Sequence, residues 1–467
     1  MHEDPLLHPA TATCGGVRPV PEVEVAEYPS PPAPEELARR LGELDGLVVV
    51  GAWSPGDWLR IRGELRRMGA RWNRVVYIDS ERDPALSGVS LDGLVRSHKA
   101  YLEASAEYIP VVVSEAGKTV SRREILKAGL GVFFTYTAMP EVRDAQCSSL
   151  KSCSLCLSSC PYDALSGKPP GVSEQKCVEC GLCTSSCPSG LLLVPAFPPA
   201  ALRRLLYELK SSGAQGVVVT CPEGRTSVYS SSLKGAVVEL PCVAALRIHE
   251  YLFARQLGLN VVFHCPAELR AKCPRGRAVE EYLALVREAE LITSSKEAKP
   301  VSGEKLPDII APLASGESSW IPLSRLPLFR VKVDAEACTL CGACEKACPT
   351  HALSLRHGEG YTLLFTHSDC IGCGTCVSVC PEKAVRLVRA ANPALLSARS
   401  PIAVASSPEA HCRRCGAPIG PQARIVRIAE KLRKAGVSEA QVEKLWLCEK
   451  CKQESLADEL KEFLERA

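Results

Sequence analysis

Apolar and polar residues along this chain alternate with two different periods, and the switches between them divide it into blocks. Leu47–Trp53 is a short apolar run, Pro55–Met68 carries helical spacing, and Arg74–Asp79 is β-branched and aromatic. Together they predict a βαβ piece, with further α/β content out to Val113. A second such segment runs from Ala200 to about Ile292. Its apolar runs Gly216–Cys221, Ala236–Cys242 and Asn260–Cys265 predict strands that each end in a cysteine, surrounded by helical patterns at Ala200–Lys210, Ala244–Leu257 and Arg277–Leu291. Blocks at 147–188 and 331–390 follow neither period and are dense in cysteine. Thr293–Ser319 (Ser, Gly, Pro, Lys) and Ala391–Pro408 (Pro, Ala, Ser) read as linkers. Near the C-terminus Ile425, Ile428, Ala429 and Leu432 predict an amphipathic helix. Gly436 is its C′ residue, and Ser438-Glu439-Ala440-Gln441 is a capping box that opens the next.

Composition changes this picture in one respect. The hydrophobic share of 46% and the charged share of 23% are ordinary for a globular chain, and a net charge of +3 gives no case for a nucleic-acid or anionic-membrane partner. The 25 cysteines are unusual. A chain of 467 residues has cores that need no disulfide staples. Cysteines at two- and three-residue gaps therefore read as metal ligands, which must stay reduced and so point to the cytoplasm. Met1–Pro34 is Pro-rich and lacks the apolar centre of a signal peptide. No run of 18 apolar residues predicts a membrane span. Ser121-Arg122-Arg123 before an apolar stretch imitates an export signal, but its place inside the chain favours a helix capped by Ser121. No glycine-rich phosphate loop occurs.

The cysteines follow a repeated pattern. Cys338, Cys341, Cys344, Cys348 and Pro349 have the spacing C-x2-C-x2-C-x3-C-P. It recurs at Cys370, Cys373, Cys376, Cys380, Pro381 and at Cys177, Cys180, Cys183, Cys187, Pro188. Cys147, Cys153, Cys156, Cys160 and Pro161 repeat it with three extra residues after the first ligand. Three copies continue as x-x-Ala and then Leu or Val, at Ala164, Ala352 and Ala384. Three thiolates at two-residue gaps can wrap one 4Fe–4S cube in a tight loop, and the fourth cysteine, opening a Pro-initiated helical turn, points toward another cube. Gly181, Gly342, Gly372 and Gly374 fit loops whose backbone N–H groups approach sulfide.

Both blocks resemble the bacterial-type dicluster ferredoxins. The resemblance implies crossed ligation in two modules. Cys338, Cys341, Cys344 with Cys380 and Cys370, Cys373, Cys376 with Cys348 would form one pair of sites. The other pair would be Cys147, Cys153, Cys156 with Cys187 and Cys177, Cys180, Cys183 with Cys160. The middle segment, through Val237-Val238-Glu239-Leu240-Pro241-Cys242, Arg247-Ile248, Gly258 and Val261-Val262-Phe263-His264-Cys265, resembles the delta-subunit iron–sulfur domain of methyl-viologen-reducing hydrogenases. That resemblance implies a 2Fe–2S cluster on Cys221, Cys242, Cys265 and Cys273. It also implies electron relay between a hydrogenase and a heterodisulfide reductase. Read from the residues alone, these four thiols could equally be structural.

Cys412-x2-Cys415 and Cys448-x2-Cys451 flank the C-terminal helical pattern and suit tetrahedral coordination, with zinc the default and a rubredoxin-like iron the alternative. The basic run Arg413, Arg414, Arg424, Arg427, Lys431, Arg433, Lys434 reads as a solvated face or a patch for an acidic partner. Cys14 stands alone. The expected fold is α/β plus α+β, with two ferredoxin-like modules set between small α/β domains and a C-terminal zinc-ribbon-like knuckle. The domains are a Pro-rich segment (1–35), an α/β domain (36–140), dicluster module 1 (141–195), a hydrogenase-delta-like α/β domain (196–295), a linker (296–328), dicluster module 2 (329–390), a linker (391–408) and the four-cysteine helical domain (409–467). The function expected is electron transfer in an anaerobe by an oxidoreductase subunit that relays electrons between redox enzymes and has no catalytic site of its own. A redox enzyme with an unrecognised flavin or metal site, or an iron–sulfur regulatory or assembly protein, are the competing classes.

Overall fold

A computed structural model of the chain describes residues 21–106, 112–113, 134–135, 138–142, 147, 152–294, 297–301 and 303–466. Cys14 and the helix expected from Ser121 lie outside them. The chain divides into two compact units. Unit 1 holds both α/β segments and the first cysteine block apart from Cys153; unit 2 holds Cys153, Gly316–Leu323 and the described residues from Pro327 onward.

Unit 1 opens on three parallel strands in sequential order, Val23–Glu27, Gly46–Gly51 and Val75–Asp79. The helix between the last two, Pro55–Arg67, begins where expected: Ser54 Oγ accepts from the Asp57 amide at 3.2 Å, and Pro55 takes the first turn. It buries Trp58, Ile61 and Leu65, and truncating a fully buried leucine such as Leu65 to alanine costs about 2–5 kcal/mol. The second sheet, Ala236–Glu239, Gly216–Thr220 and Asn260–His264, is also parallel with Gly216–Thr220 in the centre. Glu239 and His264 both pair with Thr220, so Cys221, Cys242 and Cys265 leave the sheet at one end. That end is where open α/β sheets bind ligands, and the central strand lies at the change of direction.

Helix Leu91–Ser105 packs on helix Pro199–Ser211, joining the two sheets. A buried ion network reinforces the join. Arg225 binds Asp83 at 2.9 Å and Glu239 at 3.3 Å, and Arg62 also pairs with Glu239. The residues 296–328, expected as a linker, instead contain a helix at Leu306–Ile310 that buries Leu306, Ile309 and Ile310. This apolar run is one turn long, too short to register as helical periodicity.

Unit 2 contains an antiparallel sheet in the order Ile321–Pro322, Val385–Ala391, Phe329–Val333. A second antiparallel sheet runs Leu353–His357, Gly360–Thr366, Pro401–His411, Pro418–Pro421. Residues 391–408 therefore also depart from the linker reading: Pro393–Ala398 is helical and Pro401–His411 is a strand. The strand alternates, but its inward positions include Ala405, Ser407 and Ala410, too small to mark the period. Helix Gln422–Lys434 forms as expected, burying Ile425 and Ala429, and Gly436 follows with φ 79°. Ser438 is the N-cap of Glu439–Glu443 without a side-chain cap bond.

Deep in unit 1, Glu250 is closed around Arg247 through two bonds of 2.7 and 2.8 Å, and Arg203 adds a third at 3.2 Å. Burial alone would raise this carboxyl; the Arg247 and Arg203 charges outweigh it and bring it down to about 2. Glu250→Gln is expected to leave two buried guanidinium groups short of a counter-charge and to cost about 3–5 kcal/mol in denaturant unfolding. A loss below about 1 kcal/mol would mean that Glu304 and solvent already balance the pair.

Candidate functional site

None of the described cysteines forms a disulfide. In unit 2 the Cys338–Cys344 loop folds over a cavity that also receives Cys380, walled by Leu340, Leu355, Leu363 and Val385. The second loop is more deeply buried: Cys370, Cys373 and Cys376 are each 8% exposed. Burial pushes the Cys370 and Cys376 thiols up to about 12, with Cys348 among the neighbouring thiols that add to the rise. Sulfurs from two distant segments thus face one another in each site. Such thiols keep their protons unless a coordinating cation supplies the missing charge, and the donor set fits a metal cluster.

The backbone explains how short loops aim so many groups inward. Leu340 and Gly342 take φ 50° and 76°, on either side of Cys341. Gly372 and Gly374 do the same around Cys373, and Glu179 and Gly181 around Cys180. Alternating left-handed residues turn successive N–H groups to one side, making a concavity for an anion. In each of these three loops the left-handed glycine then starts a four-residue helix: Leu182–Ser185, Ala343–Lys346 and Thr375–Ser378. The Cys153–Cys156 stretch differs. Its helix, Leu155–Ser159, starts from Ser154 at φ −135°, and no positive φ occurs there.

After each fourth cysteine the chain makes a turn rather than the expected helical turn. It ends on a left-handed residue: Asp163 (49°), Gly190 (68°), His351 (54°) and Lys383 (51°). The next amide then reaches back to the cysteine, Ala164 N–H to Cys160 Sγ at 3.4 Å and Ala384 N–H to Cys380 Sγ at 3.3 Å. Ala164, Ala352 and Ala384 are buried. The alanine regularity visible in sequence is therefore the small residue that lets this amide close on sulfur. The preceding left-handed position was missed, because Asp, His, Lys and Gly share no chemistry that would reveal it.

The first block repeats the topology of the second in shorter elements. Glu141–Val142 pairs antiparallel with Leu192–Leu193 as Phe329–Val333 does with Val385–Ala391. Between them Leu165–Ser166 and Gly171–Val172 form a hairpin, as Leu353–His357 and Gly360–Thr366 do. Cys156, Cys160, Cys183 and Cys187 pack with Leu165 and Leu192. Burial raises Cys177 and Cys180, the latter to about 11, and Cys160 adds to both. Cys153 belongs to unit 2, packed against Ile371 and Cys373; Cys147 is half-buried in unit 1.

The middle cysteines gather at the end of the second sheet. Cys221 accepts from the Gly224 amide at 3.3 Å, and burial lifts its thiol to about 12. Burial likewise raises Cys242 and Cys265, whose electrostatic neighbours include Cys221 and Cys273 respectively. Cys273 accepts from the Arg275 amide at 3.4 Å.

Cys412, Cys415, Cys448 and Cys451 bring their sulfurs within 4.8 Å of one another, with Cys415 and Cys448 3.5 Å apart. A tetrahedron with metal–sulfur bonds of about 2.3 Å has sulfur–sulfur edges of roughly 3.8 Å, so this group fits a single ion. For Cys412 burial works upward, but backbone donors at Cys448, Cys415 and Arg414 bring the thiol down to about 6. The basic face beside it is largely engaged. Arg424 donates to Leu340 O at 2.9 Å, Arg427 and Lys431 bind Glu382 at 3.3 and 2.6 Å, and Arg433 binds Glu439. Arg424, Arg427 and Lys431 hold helix Gln422–Lys434 onto the Cys338 and Cys380 loops.

Gly372 shows how tightly one loop is held. A Cβ there would lie 2.1 Å from the Phe329 ring, at a φ of 63° that disfavours side chains. Gly372→Ala is expected to lower unfolding free energy by about 1–3 kcal/mol through overpacking. Adding Phe329→Ala should then cost less than it does alone, a coupling read from a double-mutant cycle. Additive losses would place the strain in the backbone alone.

No curated protein matches the chain. Among the described residues no helix is long and apolar enough to cross a membrane. Residues 330–383 match the family model of the 4Fe-4S dicluster domain. The chain carries such a domain, and it is an iron–sulfur protein.

Proposed function

We propose that the chain is a multi-cluster electron-transfer subunit. In this reading two dicluster modules hold four 4Fe–4S cubes, the C-terminal knuckle holds zinc, and the middle cysteines hold a 2Fe–2S cluster. The observation that carries it is the shared backbone pattern. The Cys177–Cys183 loop has the same left-handed pair and glycine-started helix as the two loops inside the matched domain, Cys338–Cys344 and Cys370–Cys376. The ligand sets are Cys338, Cys341, Cys344, Cys380; Cys370, Cys373, Cys376, Cys348; and Cys177, Cys180, Cys183, Cys160. Their cross-loop members, Cys380, Cys348 and Cys160, lie beside the loops they would complete. The fourth set, Cys147, Cys153, Cys156 and Cys187, stands on the motif alone. Iron–sulfur cubes change charge by one electron with little rearrangement, and this chain's part is to hold them apart from water and donate N–H groups to their sulfurs. Several in one chain suit a wire between a donor and an acceptor enzyme. The middle-domain resemblance supports a hydrogenase- or heterodisulfide-reductase-like complex as the setting for that wire.

Anaerobic metal analysis with EPR of the reduced protein tests the inventory. About sixteen cubane irons, two further irons for the middle site and one zinc are expected. Fewer than about twelve irons in well-reconstituted protein would sink the four-cube reading. Cys448→Ser should release zinc and destabilise the C-terminal helices while leaving the iron content unchanged; iron loss in parallel would mean that the knuckle binds iron instead.

A further inference from the structure

The loop Cys177–Cys183 and the strand end at Cys242 are fastened together at two points. The first is a contact of main chains. A Cβ on Gly181 would lie 2.7 Å from Ala245 Cα and 3.1 Å from Ala245 Cβ, at a φ of 75°. Only glycine lets the residue after Cys180 approach the turn after Cys242 so closely. The second point is Arg275. Its Nε donates to Val178 O at 2.7 Å, and its Nη1 donates to Pro241 O at 2.8 Å. One guanidinium thus spans the carbonyl beside Cys177 and the carbonyl beside Cys242, while its own amide donates to Cys273.

The same helix start holds the remaining segment of the module. Arg277 donates to Pro161 O at 2.9 Å, and the Ala278 amide reaches Tyr162 Oη at 3.4 Å, next to Cys160. Further along, the Ile248 amide donates to Ser185 Oγ at 3.0 Å and Arg247 donates to Gly190 O at 3.4 Å. Burial raises the Cys180 and Cys242 thiols, and the Arg275 charge opposes that rise at both.

We propose that Arg275 is the positioning residue that couples the Cys177, Cys180, Cys183, Cys160 centre to the Cys221, Cys242, Cys265, Cys273 centre. It fixes their loops at contact across Gly181 and gives both a shared positive charge. The proposal rests on the reading of both groups as iron–sulfur centres. The step it serves is one-electron exchange: one centre loses an electron, the other gains it, and no bond or proton moves. A fixed cation favours the more negative, reduced state of each centre. Arg275 therefore raises both potentials together and leaves the step between them unchanged.

The test uses the full chain, reconstituted anaerobically, with iron content, EPR-monitored redox titration and the magnetic interaction between the two reduced centres as readouts. Arg275→Met is expected to keep its iron and to move both midpoint potentials negative. The oxidised-to-reduced ratio at fixed potential should rise by roughly tenfold, about 59 mV for a one-electron couple. Arg275→Lys keeps the charge but lacks the planar fork. It should hold most of both potentials and weaken the magnetic interaction. Gly181→Ala should weaken that interaction too. An iron-replete Arg275→Met protein in which neither potential or only one moves overturns the proposal. If that variant loses iron, the other two decide: an undiminished interaction in either overturns it, and a diminished one in both supports it. Wild-type protein lacking the two middle irons overturns the underlying reading and is seen before any variant is made.

Discussion

A thiol buried beside other thiols cannot ionise unaided, and the cysteine sites of this chain are organised around that constraint. Cys370, Cys376 and Cys344 are driven well above their ordinary range by burial, with neighbouring sulfurs adding to the rise. The loops answer it with left-handed residues that turn N–H groups inward, and with amides at Ala164 and Ala384 that close on sulfur. Apolar walls of Leu340, Leu355, Leu363 and Val385 keep water from competing. In this arrangement the thiols ionise only with a coordinating cation in place.

The loops have little core of their own, so other elements hold them. In unit 2 helix Gln422–Lys434 fills that role, with Arg424 on the Leu340 carbonyl and Arg427 and Lys431 on Glu382. In unit 1 the second α/β sheet does it, and the Arg203–Arg247–Glu250 network lies beneath the contact. Buried ion groups of this kind add little net stability over apolar packing, but removing one member is costly. They fix where the loops sit more than how firmly the chain folds.

The sequence made the cysteine spacing, the parallel strands and the amphipathic helices legible, because each is a local pattern. Three apolar runs predict strands that each end in a cysteine, and the parallel pairing of Gly216–Thr220, Ala236–Glu239 and Asn260–His264 brings Cys221, Cys242 and Cys265 to one sheet end. Strand Pro401–His411 was not legible, since alanine and serine fill its inward positions, and Leu306–Ile310 was too brief to show a period. The basic run Arg413–Lys434 reads in sequence as a solvated face or a patch for an acidic partner. Its partners, Glu382 and the Leu340 carbonyl, lie 49 and 84 residues away, a distance at which composition carries no signal.

The contact between Gly181 and Ala245 also orders events in time. The loop at Cys177–Cys183 leaves the ribosome before the strand and turn that it packs against, and Arg275, which ties the two, comes later still. Domains fold as they emerge, N-terminal first. This loop must therefore wait, its thiols exposed, until about a hundred further residues have been made. The loop can be sealed in only after the α/β sheet closes over it, so its thiols are most open to oxidation during that interval.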